Sequence, residues 1–316
     1  MEFVLNEGGS FRRYVDILSD SGFKAVFGDE KNTDVIIDFL NVVLPAERRV
    51  RSLMFSRTEI PGFTATNKAV RLDLRCESED GTHFIVEMQQ TGQRNFFRRC
   101  VQYAAKVYDS NSRSGDRHYD LPPVYLIGIL ARDPGFSRSG SVWDGRYISE
   151  YTFREKVTHD IADETISIIF VELYRFVKGE AECSSESDCW WYSMKHLKEL
   201  ESIPPTFGSE SLDRLYRASE IAQFDIEKRL KYEEDMISER DYINILDTAE
   251  ERGLERGRAE GLEQGRAEGI AKGVAQGVAQ GVSKVARAML ESGMDIKSIS
   301  SLTGMTEEQI RALRPA

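Results

Sequence analysis

No apolar run in this 316-residue chain approaches the length of a membrane span: the longest, residues 124–131, falls far short. A spanning helix needs about 20 such residues. The first residues, Met1-Glu2-Phe3, do not open a basic stretch followed by an apolar one, so no secretory signal is expected. Cysteine and histidine are scarce, four of each. Cys76, Cys100, Cys183 and Cys189 lack the spacing of a zinc site or a disulfide framework, which leaves free thiols and a cytoplasmic protein as the expectation. Net positive charge is also lacking. The formal charge is −11, the wrong sign for the basic footprint of a nucleic-acid enzyme.

That deficit is unevenly spread. Residues 68–117 carry nine Lys and Arg against seven Asp and Glu, whereas residues 180–260 carry 11 against 21. The acidity belongs to the later part of the chain and leaves the earlier part able to face phosphate. With 41% hydrophobic and 10% aromatic residues, a real core is affordable and global disorder is excluded.

The first region, residues 1–180, mixes two periods. Residues 11–27 and 33–44 read as helices, the second stopped by Pro45. Residues 69–76, 83–89, 124–130 and 165–173 read as strands. A helix over residues 94–109 lies between the second and third of these, with Phe97, Val101, Ala104 and Tyr108 recurring on one face. Strands interleaved with helices predict an α/β layer fold. Residues 187–248 are polar and helical, interrupted at Ile203-Pro204-Pro205, and Trp190-Trp191-Tyr192 reads as packing between the two regions.

Residues 249–284 hold a repeat. Glycine stands at 253, 257, 261, 265, 269, 273, 277 and 281. On a helix each four-residue step turns about 400°, so the glycine stripe drifts about 40° per repeat, and each glycine costs about 1 kcal/mol of helicity relative to alanine. An oligomerisation stalk and a frayed spacer both fit. Glu255, Glu260, Glu263 and Glu268 exclude a membrane role. Residues 285–316 read as three short helices, with Gly293 and Gly304 at C-caps and Thr306 with Gln309 as a capping box. The pattern is similar to a helix-turn-helix unit. With few basic residues, a small bundle for protein contacts is the favoured reading over a DNA-binding one.

The stretch richest in chemistry is Arg71-Leu72-Asp73-Leu74-Arg75, then Glu79-Asp80-Gly81-Thr82, then Phe84-Ile85-Val86-Glu87-Met88-Gln89. It reads as two strands and a tight turn. A two-residue Asp80-Gly81 loop puts Asp73 opposite Met88, and the acids fall on opposite faces. A three-residue Glu79-Asp80-Gly81 loop with left-handed Gly81 puts Asp73 opposite Glu87, and Arg71 opposite Gln89. Glycine in third place favours the second register. Two carboxylates so placed repel unless a cation intervenes, and hard oxygen ligands select Mg²⁺ or Mn²⁺. Such an ion can activate water against a phosphoryl group. Neutralisation by Arg71 and Arg75 on a solvated face is the alternative.

The arrangement Asp73 … Glu87-Met88-Gln89 resembles the D…ExQ variant of the PD-(D/E)XK nuclease motif. Asp20-Ser21-Gly22-Phe23-Lys24-Ala25-Val26-Phe27-Gly28 resembles the opening of the Rpn family, the transposase-like, recombination-promoting nucleases of bacteria. Phe97-Arg98-Arg99 through Tyr103 and Tyr108 resembles that family's next helix. The resemblance implies a restriction-endonuclease-like αβββαβ core that hydrolyses DNA with Mg²⁺, with little sequence specificity, in recombination or mobile-element biology. It implies that Asp73 and Glu87 hold the metal with the Met88 carbonyl. It puts Gln89 where many relatives have lysine, so that either Lys24 supplies the charge or turnover is modest. Asp20 is a further candidate acid, or an N-cap. Arg94, Arg98, Arg99 and Lys106 are candidate phosphate contacts. DNA and a homo-oligomer are the expected partners, without membrane or organic cofactor. A catalytically silent DNA-binding or scaffold protein of the same fold, oligomerising through its tail, is the alternative.

Overall fold

A computed structural model describes residues 12–61, 69–90, 93, 95–112, 121–134 and 145–313. In chain order the elements are α1 (Asp20–Phe27), α2 (Thr33–Val43), β1 (Leu53–Phe55), β2 (Glu59–Ile60), β3 (Val70–Arg71), β4 (Leu74–Ser78), β5 (His83–Gln89), α3 (Phe96–Ser110), β6 (Val124–Leu130), β7 (Ile148–Arg154), β8 (Ile161–Val171), α4 (Glu186–His196), α5 (Glu210–Ser219), α6 (Ile226–Glu291), α7 (Ile296–Thr303) and α8 (Glu307–Arg311). The expected α/β class holds. The long first helix does not: residues 12–19 are extended or turn, Tyr14 bridges to Glu220, and Ser19 caps a shorter α1. The expected strand over residues 69–76 is broken in two at Leu72-Asp73.

Six strands form one mixed sheet in the order β1-β4-β5-β6-β8-β7. β5, β6 and β8 run parallel, and their neighbours on both sides run antiparallel. Every residue of β6 is buried, the signature of a strand covered on both faces. One face carries Phe84, Val86, Ile127 and Ile129 against α1, α2, α4 and α5; Trp190 and Trp191 pack there on Phe39, as the aromatic cluster suggested. The other carries Ile85, Leu126, Ile168 and Phe170 against α3 and the small β2–β3 ladder.

Gly128 sets the distance between α3 and the sheet. A Cβ at this position would lie 2.7 Å from Phe170 Cδ1 and 3.1 Å from Phe96 Cε1. Bare backbone there lets Phe96, in the first turn of α3, seat against β6 and β8.

The chain divides into a unit over Met1–Arg240 and a unit over Asp241–Ala316. The glycine repeat lies within continuous helix, and apart from the adjacent backbone of that helix no atom stands within 4 Å of a Cβ built on any of its eight glycines. In the second unit Ala286, Ile299 and Ile310 form a small core. Gly293 and Gly304 have φ of 86° and 71°, and the Thr306–Gln309 capping box is formed as expected. No described helix is long and apolar enough to cross a membrane.

Gly128→Ala is expected to destabilise the first unit by about 1–3 kcal/mol through overpacking. Gly273→Ala is expected to raise helicity, by about 1 kcal/mol locally. Urea melts followed at 222 nm measure both, and equal effects at the two positions would refute the role given to Gly128.

Candidate active site

The β4–β5 hairpin takes the three-residue register. Leu74 faces Val86, Cys76 faces Phe84 and Glu77 faces His83. Gly81 has φ 82°, and Ser78 N–H donates to Thr82 O at 3.0 Å. Asp73 therefore arrives beside Glu87. Arg71 does not arrive opposite Gln89, because the chain changes partners first: Arg71 pairs with Glu59, and Leu72 N–H donates to Thr58 O at 2.8 Å. Leu72 packs in the core under α3, whereas Leu74 packs in the core on the opposite face.

This break frees the backbone of Asp73 from the ladder, and the two acids take up the slack. Asp73 N–H donates to Glu87 Oε1 at 3.1 Å, and Met88 N–H donates to Asp73 Oδ2 at 3.0 Å. His83 N–H donates to Pro123 O and Ala131 N–H to Gln89 O, so odd-numbered residues of β5 turn their backbone groups toward β6. Even-numbered residues face β4. The Met88 carbonyl therefore opens on the Asp73 side, where β4 has already ended.

Glu87 is 4% exposed. Burial, and after it the charge of Asp73, pushes its carboxyl up to about 8. Burial also raises Asp73, against the lowering effect of the Met88 N–H; Asp20 adds to the rise, while Lys24 and Arg99 oppose it. Arg71 and Arg75 form no ion pair with either acid among the described residues. The Arg75 Nε is buried without a hydrogen-bond partner, and Glu77 is the carboxylate that acts on its charge. The two acids are thus a pair that cannot comfortably ionise together without added positive charge. Among the described residues no group of three or more His, Cys, Asp or Glu side chains could hold one ion. A metal here would take two carboxylates and a backbone carbonyl, with water completing the shell. That donor set is all oxygen and suits Mg²⁺ or Mn²⁺.

Asp20 and Lys24 come to the site from α1. Ser19, rather than Asp20, is the N-cap, accepting from Gly22 N–H at 2.9 Å. Asp20 is the first helical residue and is ion-paired to Lys24 at 2.5 Å. A Cβ on Gly22 would stand 1.9 Å from Asp16 O, so only glycine lets the first turn of α1 close on the preceding turn.

α3 divides its basic residues differently from the sequence expectation. Phe96, Cys100, Ala104 and Val107 are its buried stripe. Arg98 is exposed. Arg99 turns inward, donating from Nη2 to Gln89 Oε1 at 2.7 Å. Lys106, two turns further along the same edge, is buried and does not present itself to a phosphate backbone. Arg94 lies outside the described residues. Tyr103 and Tyr108 pack against the core beneath α3. The Arg99–Gln89 contact escaped sequence reasoning, although Arg99 sits one turn after Phe96 and one before Tyr103, at the margin of the stripe.

Residues 17–249 match the family described as PD-(D/E)XK nuclease family transposase. The chain belongs to that family. Residues 280–315 match the C-terminal HTH domain of the Rpn/YhgA-like nuclease family. The Rpn resemblance carried by Asp20–Gly28 and Asp73–Gln89 is thereby upheld, and the tail is a helix-turn-helix domain by family. Comparisons with curated proteins and with solved structures give no match.

The raised Glu87 carboxyl has a signed consequence. Between about 4.5, its ordinary value, and about 8, the folded state holds a proton that the unfolded state releases. Metal-free stability from this group is therefore full below that window and lost as pH rises through it. Glu87→Gln is expected to remove this loss, melting above wild type at pH 9 by on the order of 2 kcal/mol and close to it at pH 5. Thermal melts in EDTA across that range test it; a pH-independent difference would show that Glu87 keeps its charge.

Proposed function

We propose that the protein is a Mg²⁺- or Mn²⁺-dependent DNA endonuclease that hydrolyses phosphodiester bonds with little sequence specificity. The observation that carries this reading is the reciprocal contact of Asp73 and Glu87 at the break between β3 and β4. It brings the buried Glu87 carboxylate, the half-buried Asp73 carboxylate and an open carbonyl together where β4 begins. Family membership supports nuclease chemistry and, with the helix-turn-helix tail, DNA as the partner.

In this reading Asp73, Glu87 and the Met88 carbonyl hold the metal. The bound ion supplies Lewis acidity toward a phosphoryl oxygen and lowers the pKa of water. Lys24, though paired with Asp20, and Arg99 act on the same carboxylates as positive charges, and Arg99 draws the phosphodiester toward them. Arg98 offers a further backbone contact from the exposed side of α3. In the tail, α8 begins with Glu307 and Glu308, so phosphate contacts fall to the exposed Lys284, Arg287, Lys297 and Arg311. A role in recombination or mobile-element biology, and oligomerisation through the tail, belong to the same proposal.

Supercoiled plasmid incubated with the full chain in Mg²⁺ is expected to be nicked and linearised. Asp73→Ala and Glu87→Gln should each slow this by at least about a hundredfold, and EDTA should abolish it. A wild type inert in both Mg²⁺ and Mn²⁺ but still shifting DNA in a gel would transfer the assignment to a catalytically silent DNA-binding protein.

A further inference from the structure

The amide of Gln89 stands at the centre of the site without a charge of its own. Arg99 is bound to it. The guanidinium donates to Gln89 Oε1 at 2.7 Å and to Gln93 Oε1 at 2.5 Å. It lies over the rings of Phe96 at 4.8 Å and Tyr103 at 5.8 Å, residues i−3 and i+4 on the same helix. Phe96 is fully buried, seated against Phe170 by the missing Cβ of Gly128.

Two consequences follow from bonding chemistry. Arginine only donates, so the Gln89 atom facing it must be the carbonyl oxygen. That contact removes the twofold ambiguity of the amide and sets its NH₂ as the donor end. Second, both hydrogen-bond partners of the guanidinium are neutral amides. Lys24 is neutralised by contact with Asp20 at 2.5 Å and Arg214 by Asp38 at 2.6 Å. Arg99 has no carboxylate partner among the described residues and keeps its full field.

We propose that Arg99 is the positioning residue of this site: it orients Gln89 as a hydrogen-bond donor and supplies the positive charge that the amide lacks. The inference rests on the reading of Asp73, Glu87 and Gln89 as a phosphodiester-cleaving centre. Orientation and charge, which one lysine would combine at position 89, are divided here between an amide on β5 and a guanidinium on α3. The division explains why a long cation on α3 is turned into the protein, over two rings, when the opposite side of the helix faces solvent.

The test uses four variants of the full chain: Arg99→Gln, Arg99→Lys, Gln89→Lys, and Gln89→Lys combined with Arg99→Gln. Plasmid cleavage in Mg²⁺ and Mn²⁺ affinity by calorimetry are measured on each, with thermal melts to confirm folding. Arg99→Gln should cut roughly a hundredfold more slowly while binding Mn²⁺ about threefold more tightly, because a repelling cation has gone. Arg99→Lys, which keeps the charge but not the fork, should fall between. Gln89→Lys alone should gain nothing, with two cations crowded together. The double variant should recover to within about tenfold of wild type, one ammonium then serving both needs. Arg99→Gln cutting at the wild-type rate, or a folded double variant no faster than Arg99→Gln, would overturn the proposal. A wild type that cuts nothing overturns the nuclease reading instead. Mn²⁺ affinity then decides the charge role: tighter binding by Arg99→Gln supports it, and equal or weaker binding refutes it.

Discussion

Two carboxylates held side by side, Glu87 buried and Asp73 half-buried, are the constraint around which the site is organised. A regular antiparallel ladder through Asp73 would turn its N–H and C=O away from β5, commit the Met88 N–H to the Leu72 carbonyl, and leave the acids to repel each other unassisted. The chain instead leaves the ladder at Leu72-Asp73. Each acid then accepts one backbone N–H, Glu87 from Asp73 and Asp73 from Met88. Such bonds favour the ionised forms and offset part of the burial penalty, though Glu87 still stays far above its ordinary range. A broken strand is the cost of a site that remains short of positive charge and open on one side.

The surrounding charges come from both layers of the fold. α1 belongs to the layer over Val86 and Ile127, α3 to the layer over Ile85 and Phe170. Side chains from both act on the pair of acids where β4 begins. Asp20 and Lys24 from one side and Arg99 from the other act on the Asp73–Glu87 pair. With every group ionised, three acids and two bases leave a formal charge of −1. A divalent cation would turn that to +1, the sign that attracts a phosphodiester. The overall −11 of the chain therefore says little about this locality, since exposed charges more than about 10 Å away are screened.

Much of this was legible because it is local. Gly81 in third place determined the hairpin register, and that register alone put Asp73 beside Glu87. Pro45 ended α2, and Thr306 with Gln309 capped α8. What was hidden depends on distant partners. The strand break follows from a two-residue ladder between Glu59–Ile60 and Val70–Arg71, too short to leave a periodic signal. Residues 11–27 have helical composition, but Tyr14 and Val15 are held by Glu220 and Ser219, more than 200 positions on. Lys106 and Arg99 looked like solvent-facing cations because composition marks them as basic; helical spacing places both on the same inward edge, seven residues apart. Arg99 could have been singled out as the basic residue flanked at i−3 and i+4 by aromatic rings.

The glycine repeat shows how far local propensity is overruled by attachment. Eight glycines cost an isolated helix about 8 kcal/mol relative to alanine, and a free peptide of this sequence should be a poor helix. α6 nevertheless runs unbroken from Ile226 to Glu291. Its beginning is fixed in the first core by Tyr232 and Met236, with the Tyr232 hydroxyl accepting from Asp16 N–H at 3.0 Å. Its end is fixed in the second core by Ala286. The unfavourable step in helix formation is nucleation, and two anchored ends supply a nucleus at each. Only propagation through Gly253–Gly281 is left, where the Ala, Glu, Gln, Lys and Arg between the glycines are good formers. Helix held this way has no side-chain packing to add to its hydrogen bonds, so it opens more readily than helix packed on a core.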